Sequence, residues 1–249
     1  MNSSSIHAPQ WPIYLAEARC ELLRVLRTPA FVVPSLAFPL VFYLMFGVLL
    51  GHGQASVPLL ASYTVFGAMA PGLFGFGIGL ALDRERGLLT LKRALPAPPA
   101  AWLVARVAMA MVFAATIATL LIIAGGLFGG VQLAPMQACA LLAVGVFAAL
   151  PFCAIGLLVG SFAPASAAPA VVNLVYLPMS LLSGLWMPLS VLPPVFSTLA
   201  PLWPAWHLGQ LARMAVGLQA QGAAWAHVAV PLVIAALCLL LAQRRLRRE

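Results

Sequence analysis

The chain has 249 residues, of which 63% are apolar and only 7% are charged, and its mean hydropathy is +1.06. Soluble domains carry roughly 25% charged residues, so this composition cannot supply a water-facing surface for a folded chain of this length. It excludes a soluble globular protein. Because backbone groups in lipid must be hydrogen-bonded within helices or closed barrels, the long apolar runs predict an all-α integral membrane protein.

The formal net charge of +8 rests on twelve arginines and one lysine. A basic balance can indicate nucleic-acid binding, but these charges lie in the gaps between apolar runs, and no basic stretch is interleaved with aromatic residues. We therefore expect no nucleic-acid partner. The predominance of arginine over lysine is associated with GC-rich bacterial genomes, so we expect a multi-pass protein of the bacterial cytoplasmic (inner) membrane.

Residues 11–28 predict a helix that lies on the membrane surface and ends before Pro29. They do not resemble a signal peptide, because charges interrupt them and no long apolar core is present. Apolar and charged residues occupy opposite sides of this helix. The charged side is formed by Glu17, Glu21 and Arg24. Two interpretations remain open, a topogenic anchor and a surface on which a cytoplasmic partner pushes.

Six apolar stretches follow, each long enough to cross roughly 30 Å of hydrocarbon. They cover residues 31–50, 59–82, 102–127, 136–162, 168–187 and 223–241. We expect six transmembrane helices in a single domain, 1–249, together with membrane lipid as a partner.

Arginine and lysine positions orient these helices, because basic residues concentrate on the cytoplasmic side. Apart from Arg213, every basic residue falls before the first span, between the second and third or at the adjoining membrane edge of the third, or after the sixth. These residues are Arg19, Arg24, Arg27, Arg84, Arg86, Lys92, Arg93, Arg106, Arg244, Arg245, Arg247 and Arg248. The pattern predicts that both termini are cytoplasmic.

The segment 83–98 is the longest charged passage between spans. After Gly87, three leucines fall on one helical face, namely Leu88, Leu91 and Leu95, and Pro96 stops the helix. A short amphipathic helix in a loop has no spanning role, so its apolar ridge needs the membrane surface or a groove on another protein.

This loop resembles the cytoplasmic loop of type-2 ABC transporter permeases, which reads acid–Arg–Glu–x–Gly–Thr–Leu and ends in proline. The matching residues here are Glu85, Gly87, Leu89 and Pro96. The chain departs from the pattern at Leu88, where the family often has threonine, and near its second acid position, where Leu91 and Lys92 stand.

A second passage, 177–213, resembles the fifth-span signature of the same family. It contains the Ser183-Gly184 pair, then Pro188, a Leu-Pro step, a proline followed by an aromatic residue, and a terminal Arg213. Prolines break the helix here, and broken backbone at membrane depth is tolerated only against protein or a cavity. The resemblance implies that Ser183, Gly184 and Pro188 form the re-entrant outer end of the fifth helix, and that an outer re-entrant segment covers 188–215.

The resemblance further implies a permease subunit that pairs with a second permease copy and exports a substrate. The energy would come from a separate ATP-binding subunit, which holds ATP and Mg²⁺ and contacts the cytoplasmic loop. The implied ATPase-coupling residues are Glu85, Gly87, Leu88, Leu91 and Leu95.

One polar stripe runs along the fifth span, formed by Asn173, Tyr176, Ser180 and Ser183. Because a helix turns about 100° per residue, this spacing keeps the four within roughly an 80° arc. Two interpretations stay open, hydrogen bonding at the seam between two permeases and the lining of the transport path.

Several motifs are absent from the sequence. The only lysine does not follow a glycine, which excludes a P-loop in this chain, and neither H-E-x-x-H nor G-x-S-x-G occurs. We expect no catalytic residues and no bound cofactor. All five acids lie outside the spans, which argues against a proton-coupled transporter. His207 lies among outer tryptophans without a second ligand at helical spacing, so we expect no metal site.

A path lined by apolar, serine and tyrosine groups suits an amphiphile, a lipid-like molecule or a drug better than a polyanion. A membrane enzyme, a secondary transporter and an assembly scaffold remain alternatives to the exporter permease. An activity of the purified chain alone would favour the enzyme, and transport driven by an ion gradient without ATP would favour the secondary transporter.

Overall fold

The computed structural model describes residues 11–51, 55–94, 98 and 101–246. Within these ranges the chain forms helices and turns and no strand, so the protein is an all-α membrane protein, as predicted. The α-helices are α1 (Trp11–Leu26), α2 (Pro29–Phe42), α3 (Ser56–Glu85), α4 (Leu88–Ala94), α5 (Ala101–Phe128), α6 (Pro135–Phe162), α7 (Ala168–Leu182), α8 (Pro194–Leu199), α9 (Pro204–Ala215) and α10 (Ala224–Leu246).

Five helical segments among the described residues are long and apolar enough to cross a membrane. They are Pro29–Leu49, Ser56–Glu85, Ala101–Phe128, Pro135–Phe162 and Ala224–Leu246. Each overlaps a predicted span within about five residues. The number of spans and the side on which the termini lie stay predictions.

The remaining predicted span, 168–187, is shorter than expected, because α7 ends at Leu182. Gly184 adopts φ +71, its N–H donates to the Leu181 carbonyl, and the N–H of Leu185 donates to the Ser180 carbonyl. This pair of hydrogen bonds is a Schellman motif, which terminates a helix at a glycine. At 1.5 Å per residue, the 15 residues of α7 extend only about 22 Å. Short helices and turns follow over 183–215.

The first helix also ends earlier than predicted. α1 stops at Leu26, and Pro29 occupies the first turn of α2 rather than closing α1. Proline is suited to that place, since the first turn leaves its N–H groups unpaired in any case.

The α3 helix is the centre of the bundle and packs against α5, α6, α7 and α9. Its contact with α6 is unusually close. A Cβ atom built on Gly156 would lie 2.6 Å from the Gly72 carbonyl oxygen, and one built on Gly160 would lie 2.6 Å from the Gly77 carbonyl oxygen. Glycine at these positions lets the two backbones touch, as small residues do in membrane helix pairs.

Prolines interrupt the interiors of most of the apolar helices. They are Pro34, Pro39, Pro71, Pro151, Pro178 and Pro231. The first span also changes from α-helix to π-helix over Tyr43–Leu49. In contrast, α5 contains no proline over its 28 residues.

One end of the bundle gathers most of the described basic residues, and we call it the basic end. The Arg84 guanidinium donates to the carbonyl of Gly160 at 3.0 Å, which joins the ends of α3 and α6. Arg245, near the end of α10, lies 5.7 Å from the ring centre of Phe162. α1 reaches the same end through the ion pairs described below. α1 and the C-terminal end of α10 therefore lie at the same end of the molecule.

Candidate functional site

Four charged side chains from three helices meet at the basic end and form an ion cluster, which consists of Glu21, Arg24, Asp83 and Arg106. Arg106 Nε donates to Glu21 at 2.9 Å, and Arg106 Nη2 donates to Asp83. Arg24 also donates to Asp83, at 3.2 Å. The cluster contains two positive and two negative charges, so it is internally balanced while it ties α1 to both α3 and α5.

Burial makes this cluster different from an ordinary surface pair. The Asp83 and Arg106 side chains are 6% and 4% exposed, whereas the Arg24 side chain keeps 43%. An exposed ion pair contributes little, but removing one partner of a buried pair leaves a charge without compensation. The cluster therefore holds α1 in a defined position against the bundle.

A small pocket of about 190 Å³ opens beside the cluster, between α1, α2, α3 and α5. Arg106 Nη1 is buried and has no hydrogen-bond partner among the described residues. A Cβ atom on Gly79 would lie 3.5 Å from this nitrogen. Rings and aliphatic chains such as Phe31, Phe74 and Ile78 form much of the remaining wall.

The charged side of α1 faces the bundle rather than water. Glu17 is half-buried, and the Glu21 side chain is only 13% exposed. The exposed residues of α1 include Trp11, Leu15 and Leu26. The helix thus directs its acids toward the protein and its large apolar side chains outward, as a helix seated at a lipid surface would.

The turn that carries the predicted coupling residues projects from the basic end. α3 ends at the exposed Glu85, and Gly87 adopts φ +70 before α4 begins at Leu88. Leu88 is half-buried, and Leu91 is 59% exposed. Leu95 and Pro96 lie outside the described residues. α4 thus offers at least one large apolar side chain that the other described residues leave exposed.

The four residues of the predicted polar stripe do not share one environment. Asn173 is exposed and donates to the carbonyl of Pro169 at 3.0 Å, within its own helix. Tyr176 is buried between Phe66 and Phe74, with ring centres 5.5 and 5.2 Å away. Ser180 and Ser183 are also buried, so three of the four point into this protomer.

The opposite end of the bundle, which we call the outer end, contains a cavity of about 500 Å³. It lies between the start of α3, the turn after α7, α9 and the loop before α10. Gly184 and Pro188 of the predicted re-entrant segment line it, as does Ser183, whose buried hydroxyl has no partner among the described residues. Among the described residues that line it, Arg213 supplies the one formal charge, and leucine side chains and Trp206 complete the wall.

Two histidines at the outer end form a direct pair. His207 Nδ1 lies 2.9 Å from His227 Nδ1, and the two rings are 6% and 1% exposed. Trp206 packs edge-on against both, with ring centres 4.9 and 5.4 Å away. Burial lowers the pKa of His207 below its ordinary value, while a hydrogen bond with the Pro201 carbonyl opposes that shift.

The sequence interpretation missed the ion cluster and the histidine pair for the same reason. Arg106 was interpreted only as one of the basic residues that orient the spans. His227 lies 20 residues from His207, on another helix. Neither contact therefore produces a local spacing pattern in the sequence. The pair has only two potential metal ligands, because no third His, Cys, Asp or Glu joins it among the described residues.

Comparison with known proteins agrees with the architecture. The sequence model of the family "ABC-2 type transporter" matches residues 14–216, which is most of the chain. The chain is also 29% identical over 197 residues to the Bacillus subtilis (strain 168) protein named "Putative transport permease YvfS". That alignment covers 76% of this chain and 79% of the relative. The resemblance drawn from the loop and the fifth span is thereby confirmed, and the chain belongs to the ABC-2 type transporter family of membrane permeases.

Proposed function

We propose that this permease works as the membrane subunit of an ABC exporter, which moves an amphiphile outward with energy from ATP hydrolysis in a separate subunit. The observation that carries the proposal is the family match over residues 14–216, joined to a helical turn that projects from the basic end with an uncovered leucine. The chain itself contains no P-loop, so the nucleotide must be bound elsewhere.

The α3–α4 turn is the proposed docking point for the ATP-binding subunit. An exposed apolar side chain on a short helix fits a groove of a partner protein. Movement of that partner would reach α3 through the turn. It would reach α1 and α5 through the ion cluster, because Asp83 lies two residues before the end of α3 and pairs with both Arg24 and Arg106.

An amphiphilic substrate agrees with the outer cavity. Its wall combines one guanidinium group and several serine and glutamine side chains with three leucines and one tryptophan, Trp206. A molecule with a polar or anionic head and an apolar body would place the head against the guanidinium and amide groups and the body against the apolar side chains of this wall.

Pairing of two copies, as in the proposed exporter, would use faces that this protomer leaves uncovered. Asn173, Leu174 and Leu177 of α7 are exposed. An outward amide beside large apolar groups suits a helix–helix seam, where hydrogen bonds and close packing both contribute. Homodimerisation is part of the proposal.

The proposal is tested by purifying the tagged permease from its native host in mild detergent and asking whether an ATP-binding subunit accompanies it. We expect the wild type to retain the subunit and Leu91→Asp to lose it, because the new carboxylate would be desolvated in an apolar groove. Thr90→Asp adds the same charge on the neighbouring face of α4 and serves as the matched control.

Retention by both variants would remove α4 from the docking surface but leave the exporter standing. The absence of any ATP-binding subunit from wild-type preparations, together with ATP-independent transport in vesicles, would overturn the exporter and favour a secondary transporter.

A further inference from the structure

The histidine pair at the outer end is not explained by family membership or by packing alone. The two imidazole rings meet through their Nδ1 atoms at 2.9 Å, which is a hydrogen-bond distance. Their remaining nitrogens are also engaged. His207 Nε2 lies 2.9 Å from the Pro201 carbonyl oxygen, and His227 Nε2 lies 2.7 Å from the Gln221 carbonyl oxygen.

Counting protons on the four nitrogens fixes the charge of this arrangement. A carbonyl oxygen only accepts hydrogen bonds, so both Nε2 atoms must carry a proton. Two neutral rings would then face each other with bare lone pairs on Nδ1. Two fully protonated rings would face each other with two N–H groups. Only the state with one further proton between the two Nδ1 atoms satisfies every contact.

We propose that His207 and His227 form a proton-binding site that holds one shared proton, giving an imidazolium–imidazole pair of charge +1. The bound proton joins α9 to α10. By holding the His227 ring in place, it also steadies the loop 217–222, whose Gln221 carbonyl accepts a hydrogen bond from His227 Nε2.

The contacts of the four ring nitrogens favour a first proton, and the surroundings oppose a second. Other ionisable groups at this end, on helices packed against α9, are Arg213 of α9, Tyr63 of α3 and Cys139 of α6. None is an acid, and the described acids lie at the basic end or on α1. Burial, which lowers the pKa of His207, opposes any charge at this place. The hydrogen bond between the two Nδ1 atoms offsets that cost for the first proton, whereas a second positive charge would be buried beside the first without a counter-ion.

The loop that the pair secures is a wall of the outer cavity. Gln219 and Gln221 line that cavity, and Arg213 Nε and Gln210 Oε1 bond the backbone of these two residues, at 3.2 and 3.0 Å. Loss of the shared proton replaces an attractive contact between helices with repulsion between two lone pairs. The outer wall is therefore more mobile when the pair is neutral.

The experiment is nitrogen-15 NMR of histidine ring atoms in the full-length protein in nanodiscs, with His7→Gln and His52→Gln removing the other two histidines of the chain. Free histidine has a pKa of about 6.5, so two independent rings would carry four protons at about pH 5. We expect three, with both Nε2 atoms protonated and one proton exchanging between the Nδ1 atoms.

A second measurement tests the fastening role without relying on the proton count. In His227→Gln, amide hydrogen exchange in segment 217–222 should be several-fold faster than in the parent, while exchange in α5 should not change. Trp206 fluorescence reports the protonation of the pair, because an imidazolium ring quenches the emission of a neighbouring indole. The Trp206→Phe variant shows how much of the total emission comes from Trp206. Four protons at about pH 5, or two neutral rings throughout the titration, would overturn the proposal.

Discussion

Arg106 stabilises the basic end through contacts that its position in the sequence does not indicate. It stands five residues into α5, is 3% exposed, and contacts acids from two other helices. A basic residue near a span end ordinarily serves orientation. Here the guanidinium group lies between Glu21 and Asp83 and contacts both. Without it, the repulsion between these two carboxylates would be offset by Arg24 alone.

Replacing Arg106 should therefore destabilise the protein strongly. We expect Arg106→Met to lower the free energy of unfolding by about 3–5 kcal/mol, because buried carboxylates lose their partner. A thermal melt in detergent measures the change. The exposed Arg86→Gln should alter stability by less than about 0.5 kcal/mol. Adding Glu21→Gln and Asp83→Asn to Arg106→Met should recover part of the loss, and failure to recover would show that packing, not charge, is responsible.

At the scale of elements, the α3–α6 contact depends on particular glycines rather than on glycine content. Gly156 and Gly160 face carbonyl oxygens of α3 at distances that admit no Cβ atom. Gly75 belongs to a similar four-residue spacing in the sequence, yet the nearest atom to its Cβ position is a methionine methyl group 4.0 Å away. The sequence spacing alone does not distinguish these two situations.

We expect Gly156→Ala to separate α3 from α6 and to cost about 1–3 kcal/mol, the usual range for overpacking a dense interior. Gly75→Ala should be neutral or stabilising by up to about 1 kcal/mol, because it removes a helix-interior glycine without a clash. Melting temperatures of the two variants in the same detergent compare them directly. Equal losses would mean that glycine flexibility, not close approach, is what the helices require.

The same contrast explains what the sequence predicted and what it could not. Long apolar runs predicted the bounds of the long helices to within a few residues, because the length and hydropathy of a span are properties of that segment alone. The early end of α7 depends on the left-handed conformation of Gly184 and the two hydrogen bonds around it. The ion cluster and the histidine pair depend on helices that meet only in the fold.

At the scale of the whole molecule, the two ends differ in charge. The basic end contains the ion cluster and the projecting turn, and the outer end contains the histidine pair and a cavity with a single arginine. If basic residues mark the cytoplasmic side, positions at the two ends should be accessible from opposite sides of the membrane.

This orientation is testable by labelling with a membrane-impermeant maleimide in a background whose four cysteines are replaced by alanine. Gln219→Cys, in an exposed loop at the outer end, should be labelled in intact cells. Arg86→Cys, at the exposed α3–α4 turn, should be labelled only after permeabilisation. The reversed pattern would invert the molecule and with it the side on which an ATP-binding subunit docks.

The distribution of prolines gives the bundle unequal stiffness. Each proline inside a helix removes one backbone hydrogen bond and lets the axis bend locally. α2, α3, α6, α7 and α10 all contain such a point, and α5 does not. α5 has no interior proline, and Arg106 in its second turn joins it to α1 through Glu21. Bending of the neighbouring helices at their prolines would therefore move them relative to α5, which offers no such bending point.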